Sequence, residues 1–202
     1  MKFLSGLLIG LLLAAAVPLA LMATGSIDVA ATAPPFPLEQ KLAPWTLDRS
    51  VAKRAAALQN PVSKDPAALA AGLDHYRENC VVCHGAPGVE MGEAGKGLNP
   101  PPPLLDAPAV QSRTDGQMFW IVKNGIRMTG MPAWGPTHKD EEIWHIVAFM
   151  RHLPQITGAE KAKLQPPAEE EHHDEAEKPA APAPAGTPPA AKPTPHVHHH
   201  HQ

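Results

Sequence analysis

Apolar and polar positions divide the chain into an unbroken apolar run, a proline-interrupted stretch, a set of helix-periodic segments and a polar tail. From Phe3 to Ala23 apolar residues dominate, and no charged side chain occurs between residues 3 and 27. An export signal carries only about 7–15 apolar residues before a small-residue cleavage site. A bilayer-spanning helix needs about 20, which this run meets, and Pro18 is tolerated inside such a helix. Residues 1–27 therefore read as a membrane anchor or a signal segment. The length favours the anchor, while Ala23-Thr24-Gly25 and Ala31-Thr32-Ala33 leave cleavage open. Either reading exports the rest of the chain and leaves Lys2 on the cytoplasmic side.

Residues 28–63 read as a linker with a short basic helix. Pro34, Pro35, Pro37 and Pro44 mark an extended segment over 28–44. Thr46 is a candidate cap for a helix over Leu47–Leu58, in which Leu47, Val51, Ala55 and Leu58 share a face. Arg49, Lys53 and Arg54 occupy another face, suited to anionic lipid headgroups or simply to water.

Residues 64–157 carry the helix-periodic core. Asp65 caps and Pro66 opens a first helix. Leu69, Leu73, Tyr76 and Cys80 recur along it at three- and four-residue spacing. Five glycines between residues 85 and 97 mark a loop, and Pro100–Pro103 form a rigid extended run. Asp115–Asn124 reads as a helix capped by Thr114 and ended by Asn124-Gly125, with Met118, Phe119, Trp120 and Val122 as core or cavity side chains. A last helix starts at Thr137 or His138, with Asp140, Glu141 and Glu142 at its positive end. It presents Ile143, Ile146, Val147, Met150 and Leu153 inward and closes at Pro154. His145 and His152 read as surface residues. Residues 158–202 are rich in Ala, Pro, Glu and His, and are expected to be a disordered tail.

The candidate chemistry lies in Cys80-Val81-Val82-Cys83-His84, the c-type haem attachment pattern. Each thiol can add to one vinyl group of the porphyrin, and the next residue offers an imidazole to the iron. A redox dithiol or a metal site also fits a bare Cys-x-x-Cys. These two cysteines are the only ones in the chain, which excludes a four-cysteine zinc site, and the approach reads as a helix. The second stretch is Gly130-Met131-Pro132. A methionine thioether is a soft, neutral ligand that raises the potential of a histidine-ligated haem. Met128 is the nearest rival, and Met91, Met118 and Met150 read as loop or core side chains.

With Gly72, Tyr76 and the last-helix Trp144, these residues resemble the class I, single-haem cytochrome c family, over roughly residues 64–155 and nearest to bacterial membrane-anchored or oxidase-subunit-like cytochrome c domains. The resemblance implies an all-α cytochrome c fold around one covalent haem c, held by Cys80 and Cys83 with His84 and Met131 as axial ligands of the iron. It implies that Gly72 and Tyr76 sit where the first and last helices cross. It also implies that a carbonyl of the run Pro100–Pro103, one of the early ones by preference, accepts the second imidazole N–H of His84.

The function expected from the resemblance is one-electron transfer without enzymatic activity, alone or as the cytochrome subunit of a dehydrogenase or oxidase. Redox proteins would be its partners: a dehydrogenase, a quinol-oxidising complex or a terminal oxidase. It would act at a bacterial inner membrane with the haem domain in the periplasm, or as a soluble periplasmic protein if residues 1–33 are removed. A gas-binding or peroxidase-like haem protein is an alternative. Another is metal handling through His172, His173, His196 and His198–His201, a cluster that also suits a plain solvated tail.

Charge narrows the partners. Residues 1–63 carry five basic and three acidic side chains (net +2), residues 64–157 eight and ten (net −2), and residues 158–202 four and seven (net −3). No basic stripe interleaved with aromatics suits nucleic acid, and no small-molecule substrate is indicated. The anchor reading is checked by intact mass of the exported protein. A chain that retains residues 3–27 bears it out, and one that begins after Ala23 or Ala33 overturns it.

Overall fold

The computed structural model describes residues 2–63 and 65–165. The expected tail beyond residue 165 lies outside the described residues. The described residues form helices, with no strand beyond an isolated bridge between Ala86 and Val89, so the fold is all-α as expected. The apolar run forms α1, Lys2–Ala23, a 22-residue helix long enough to cross a bilayer, with none of its residues buried.

The segment read as a linker is more ordered than its prolines suggest. Helix α2 runs Pro37–Ala55, ten residues ahead of the start expected at Leu47. Pro37 occupies the first helical position, where its missing N–H costs nothing. Pro44 lies inside the helix, a position proline normally disfavours. The C-terminal half of α2 is held by tertiary contact: Val51 and Ala55 are buried, and Asp48 pairs with Arg113 at 2.6 Å.

Helix α3, Pro66–Asn79, starts as expected: the Asp65 carboxylate accepts the Ala67 N–H at 2.9 Å. A short turn, α4, covers Val81–His84. The glycine-rich loop holds one helical turn, α5, Glu93–Lys96, and the chain then passes through α6, Pro108–Gln111. Helix α7, Asp115–Asn124, has the expected bounds. The Thr114 hydroxyl accepts from Gln117 N–H while the Gln117 side chain accepts from Thr114 N–H, a reciprocal cap.

Helix α8 runs Asp140–His152 and starts two or three residues later than expected. Thr137 and His138 instead form a turn on the Trp134 carbonyl, and the Glu142 carboxylate accepts the Lys139 N–H at 2.7 Å. A 3-10 turn over Leu153–Gln155 follows, ending the helix near Pro154.

The described chain then continues into α9, Gly158–Leu164, where a disordered tail was expected. Composition concealed this helix because its anchoring is sparse. Thr157 caps it, Leu164 is buried, and the Glu160 carboxylate takes hydrogen bonds from Thr157 and from the His152 ring at 3.0 Å. Burial pushes that carboxyl up, but the Thr157 N–H and hydroxyl and the His152 ring together bring it down to about 2.

The core is built on the crossing of α3 and α8. A Cβ placed on Gly72 would lie 2.0 Å from the His145 carbonyl oxygen, so only glycine allows the two backbones this close. Tyr76 and Phe149 pack at the crossing with ring centroids 5.2 Å apart. Phe119 of α7 stacks on Trp144 of α8 at 4.0 Å. Arg151 ties the far end: it bonds Asp115 at 2.6 Å, the Gln111 carbonyl at 2.6 Å and the Arg113 carbonyl. Because the clash at Gly72 is with backbone, Gly72→Ala forces the helices apart. Thermal or denaturant unfolding should show a loss of about 1–3 kcal/mol or more.

Candidate functional site

The Cys80–His84 segment is placed by the helix before it and the loop after it. Cys80 ends α3, with its N–H bonded to the Tyr76 carbonyl. The buried Tyr76 hydroxyl donates to the Gly85 carbonyl at 2.6 Å, bridging across the cysteine segment. From the other side, Gly92 N–H donates to the Val82 carbonyl at 2.9 Å. A Cβ on Gly95 of α5 would lie 2.6 Å from the Cys83 carbonyl oxygen. The glycines of this loop thus bring backbone directly against the Cys80–His84 segment.

Cys80, Cys83 and His84 border a cavity of about 550 Å³, within the roughly 300–1,000 Å³ range of cofactor and ligand sites. Its remaining wall is mostly apolar, with Leu98, Met118, Val122, Met131 and Met150 contributing. Met131 therefore shares the cavity with Cys80, Cys83 and His84. It follows a turn in which the Thr129 hydroxyl accepts the Met131 N–H at 3.1 Å and donates to the Ile126 carbonyl. Met128, the sequence rival, has φ 63° and is 90% exposed, away from the cavity. Met118 and Met150, read as core residues, border the cavity too, but from within α7 and α8 and at 1% and 5% exposure. Met91 is not among the lining residues.

The His84 ring is oriented by backbone. Its Nδ1 lies 2.8 Å from the Pro103 carbonyl oxygen. A carbonyl only accepts, so Nδ1 carries the hydrogen and Nε2 keeps its lone pair. Desolvation lowers the His84 pKa, against the Pro103 hydrogen bond, which raises it. The accepting carbonyl belongs to the last proline of the run, not to an early one. An extended proline run advances about 3.1 Å per residue, so Pro100 and Pro103 present carbonyls at well-separated points, and only the last meets Nδ1. Burial, then the neighbouring Cys83, pushes the Cys80 thiol up to about 12.

Two neighbours of the site escaped the sequence reading. Leu47 of α2 borders the cavity; its apolar stripe was visible, but nothing local said which surface the stripe would meet. Asn99, just before the proline run, donates to the Ala31 and Ala33 carbonyls at 2.9 and 3.2 Å, a contact 66 and 68 residues away that has no local signature. His145 and His152 are not among the residues that line the cavity.

The donor chemistry of this cavity suits haem: two thiols, a neutral imidazole and a thioether, in an apolar enclosure. Comparison with known proteins agrees and supports a cytochrome c family domain. Residues 67–150 match the family described as cytochrome C oxidase, cbb3-type, subunit III. The chain is also similar to quinohemoprotein alcohol dehydrogenase of Comamonas testosteroni, 31% identical over 101 residues. That alignment takes in 50% of this chain and only 13% of the dehydrogenase.

Tyr76 and Gly85 are both buried, so Tyr76→Phe leaves the Gly85 carbonyl without its partner. Denaturant unfolding should show a loss of about 1–3 kcal/mol, while a haem domain that still assembles keeps the position of its visible bands.

Proposed function

We propose that the domain is a one-electron carrier with a single covalent haem c, held at the outer face of a bacterial inner membrane. The observation that supports this most directly is the shared cavity: Cys80, Cys83, His84 and Met131 meet in one apolar enclosure although Met131 comes from a separate turn. Bound there, the haem supplies one iron that takes up and returns a single electron.

The chain's own residues do the rest. Cys80 and Cys83 tether the porphyrin through thioether bonds. His84 offers Nε2 to the iron while Pro103 holds its other ring nitrogen, a second contact that fixes orientation and raises ligand basicity. Met131 would offer its sulfur from the turn after Thr129, whereas Met118 and Met150 border the cavity from within α7 and α8. The apolar wall limits water around the iron. With His84 and Met131 both holding the iron, no coordination site would be left for a substrate, so the domain would serve as carrier or carrier subunit and not as an enzyme.

The partner is a redox protein: a dehydrogenase, a quinol-oxidising complex or a terminal oxidase. An oxidase subunit and a quinohemoprotein dehydrogenase are the similar proteins named above, which supports a place in an electron-transfer assembly. Retention of α1 as an anchor would hold the domain in the periplasm beside membrane-bound partners.

Replacing the sixth ligand tests the proposal. Met131→Ala should lower the reduction potential, open the iron to CO or cyanide, and remove the weak far-red sulfur-to-iron band of ferric haem. Met128→Ala should do none of these. A band that survives Met131→Ala and vanishes in Met128→Ala overturns the ligand assignment. Rapid CO binding by the unaltered ferrous protein at neutral pH overturns the carrier reading in favour of a gas-binding one.

A further inference from the structure

Helix α2 has two faces, and only one has a partner within the chain. Leu47, Val51 and Ala55 turn toward the domain, where Val51 and Ala55 are buried and Leu47 reaches the cavity wall. At about 100° per residue, Leu38, Leu42, Trp45 and Arg49 fall within about 60° of one another and about 140° from that inner face. Leu38, Leu42 and Trp45 are 67%, 49% and 59% exposed. Phe36, at the start of the helix, is exposed as well. Three leucine and tryptophan side chains in one uncovered stripe would be unusual for a surface that meets only water.

The charges on this side are basic. Lys41 borders the stripe, and Arg49 closes it with its guanidinium 5.9 Å from the Trp45 ring centroid. Asp48 is already paired with Arg113, which leaves Glu39 as the other acidic residue of the helix. Apolar and tryptophan side chains flanked by Lys and Arg are the composition of a helix lying in a membrane interface.

Position supports the same partner. Asn99 grips the carbonyls of Ala31 and Ala33, so the free chain between the end of α1 at Ala23 and the domain is short. From Ala23 to Ala31 it can reach at most about 28 Å. If α1 crosses the bilayer, the domain cannot leave the membrane surface, and α2 begins six residues after Ala31.

We propose that the outer stripe of α2, from Leu38 to Arg49, lies in the headgroup layer of an anionic lipid membrane. Leu38, Leu42 and Trp45 enter the acyl boundary, and Lys41 and Arg49 meet lipid phosphates. Because Leu47 on the opposite face of this helix borders the cavity, the docked helix sets the height and rotation of the cavity above the bilayer. The inference rests on the reading of α1 as a retained anchor.

The test uses the full-length holoprotein in vesicles of phosphatidylcholine, with or without phosphatidylglycerol, carrying a photoactivatable lipid whose diazirine sits near the headgroup. Adducts are mapped by mass spectrometry. Label is expected on α1 and on Leu38–Trp45, with none on Asp74–Glu78 of α3, and stronger label on α2 when phosphatidylglycerol is present. Lys41→Gln and Arg49→Gln should each reduce α2 labelling about fivefold, the factor that corresponds to ~1 kcal/mol per basic residue at an anionic surface. Both residues are exposed, so neither change disturbs the core. Label on α1 with none on α2 overturns the proposal and leaves the anchor standing. A mature chain lacking α1 overturns the anchor reading. In that case α2 labelling that still depends on phosphatidylglycerol supports the docking surface, and its absence overturns it. Protection of α2 that follows chain dimerisation assigns the stripe to a second copy and also overturns the proposal.

Discussion

The approach of α3 to α8 at Gly72 is the constraint on which the cavity depends. With the Gly72 Cα against the His145 carbonyl, the two helices meet backbone to backbone. Tyr76, one turn further along α3, is then driven between Phe149 and the Gly85 carbonyl. That hydroxyl is a single buried donor, yet it closes the path from α3 through the cysteine segment to the glycine loop. A larger residue at 72 would move Tyr76, and with it the wall that carries Cys80, Cys83 and His84. The helix crossing and the cavity are one mechanical unit.

Much of this unit could be read from local signals. Asp65-Pro66, Thr114 with Gln117, and Asn124-Gly125 each state a helix end within four residues, and the structure places those ends accordingly. Gly72 was conspicuous because a glycine inside a helix costs up to ~1 kcal/mol against alanine unless something comes close. The attachment segment and the Gly-Met-Pro turn were legible as residue types. That they border one cavity was not, since Met131 lies 47 positions after His84.

The differences share one physical cause: they depend on partners distant in sequence. Prolines at 34, 35, 37 and 44 argue for an extended segment, but Val51 and Ala55 bury against the domain and Asn99 catches residues 31 and 33, so the region is ordered from outside. Helix α9 has only seven residues and would be marginal alone. Leu164 in the core and the Glu160–His152 contact hold it. The choice of Pro103 over the earlier prolines depends on how far the run has advanced when it passes the His84 ring. Composition and periodicity contain no term for any of these meetings.

The cavity wall also draws on a segment that precedes the domain in the chain. Leu47 comes from α2, ahead of residues 67–150 that match the cytochrome family. Asn99 links the start of the proline run to Ala31 and Ala33, and Pro103 at the end of that run holds the His84 ring. Backbone at residues 31 and 33 is thus joined, through five consecutive residues, to the imidazole proposed as the iron's ligand. A rigid run of prolines between those two contacts transmits displacement with little slack. On this geometry the chain just after α1 is joined to the His84 ring through the proline run.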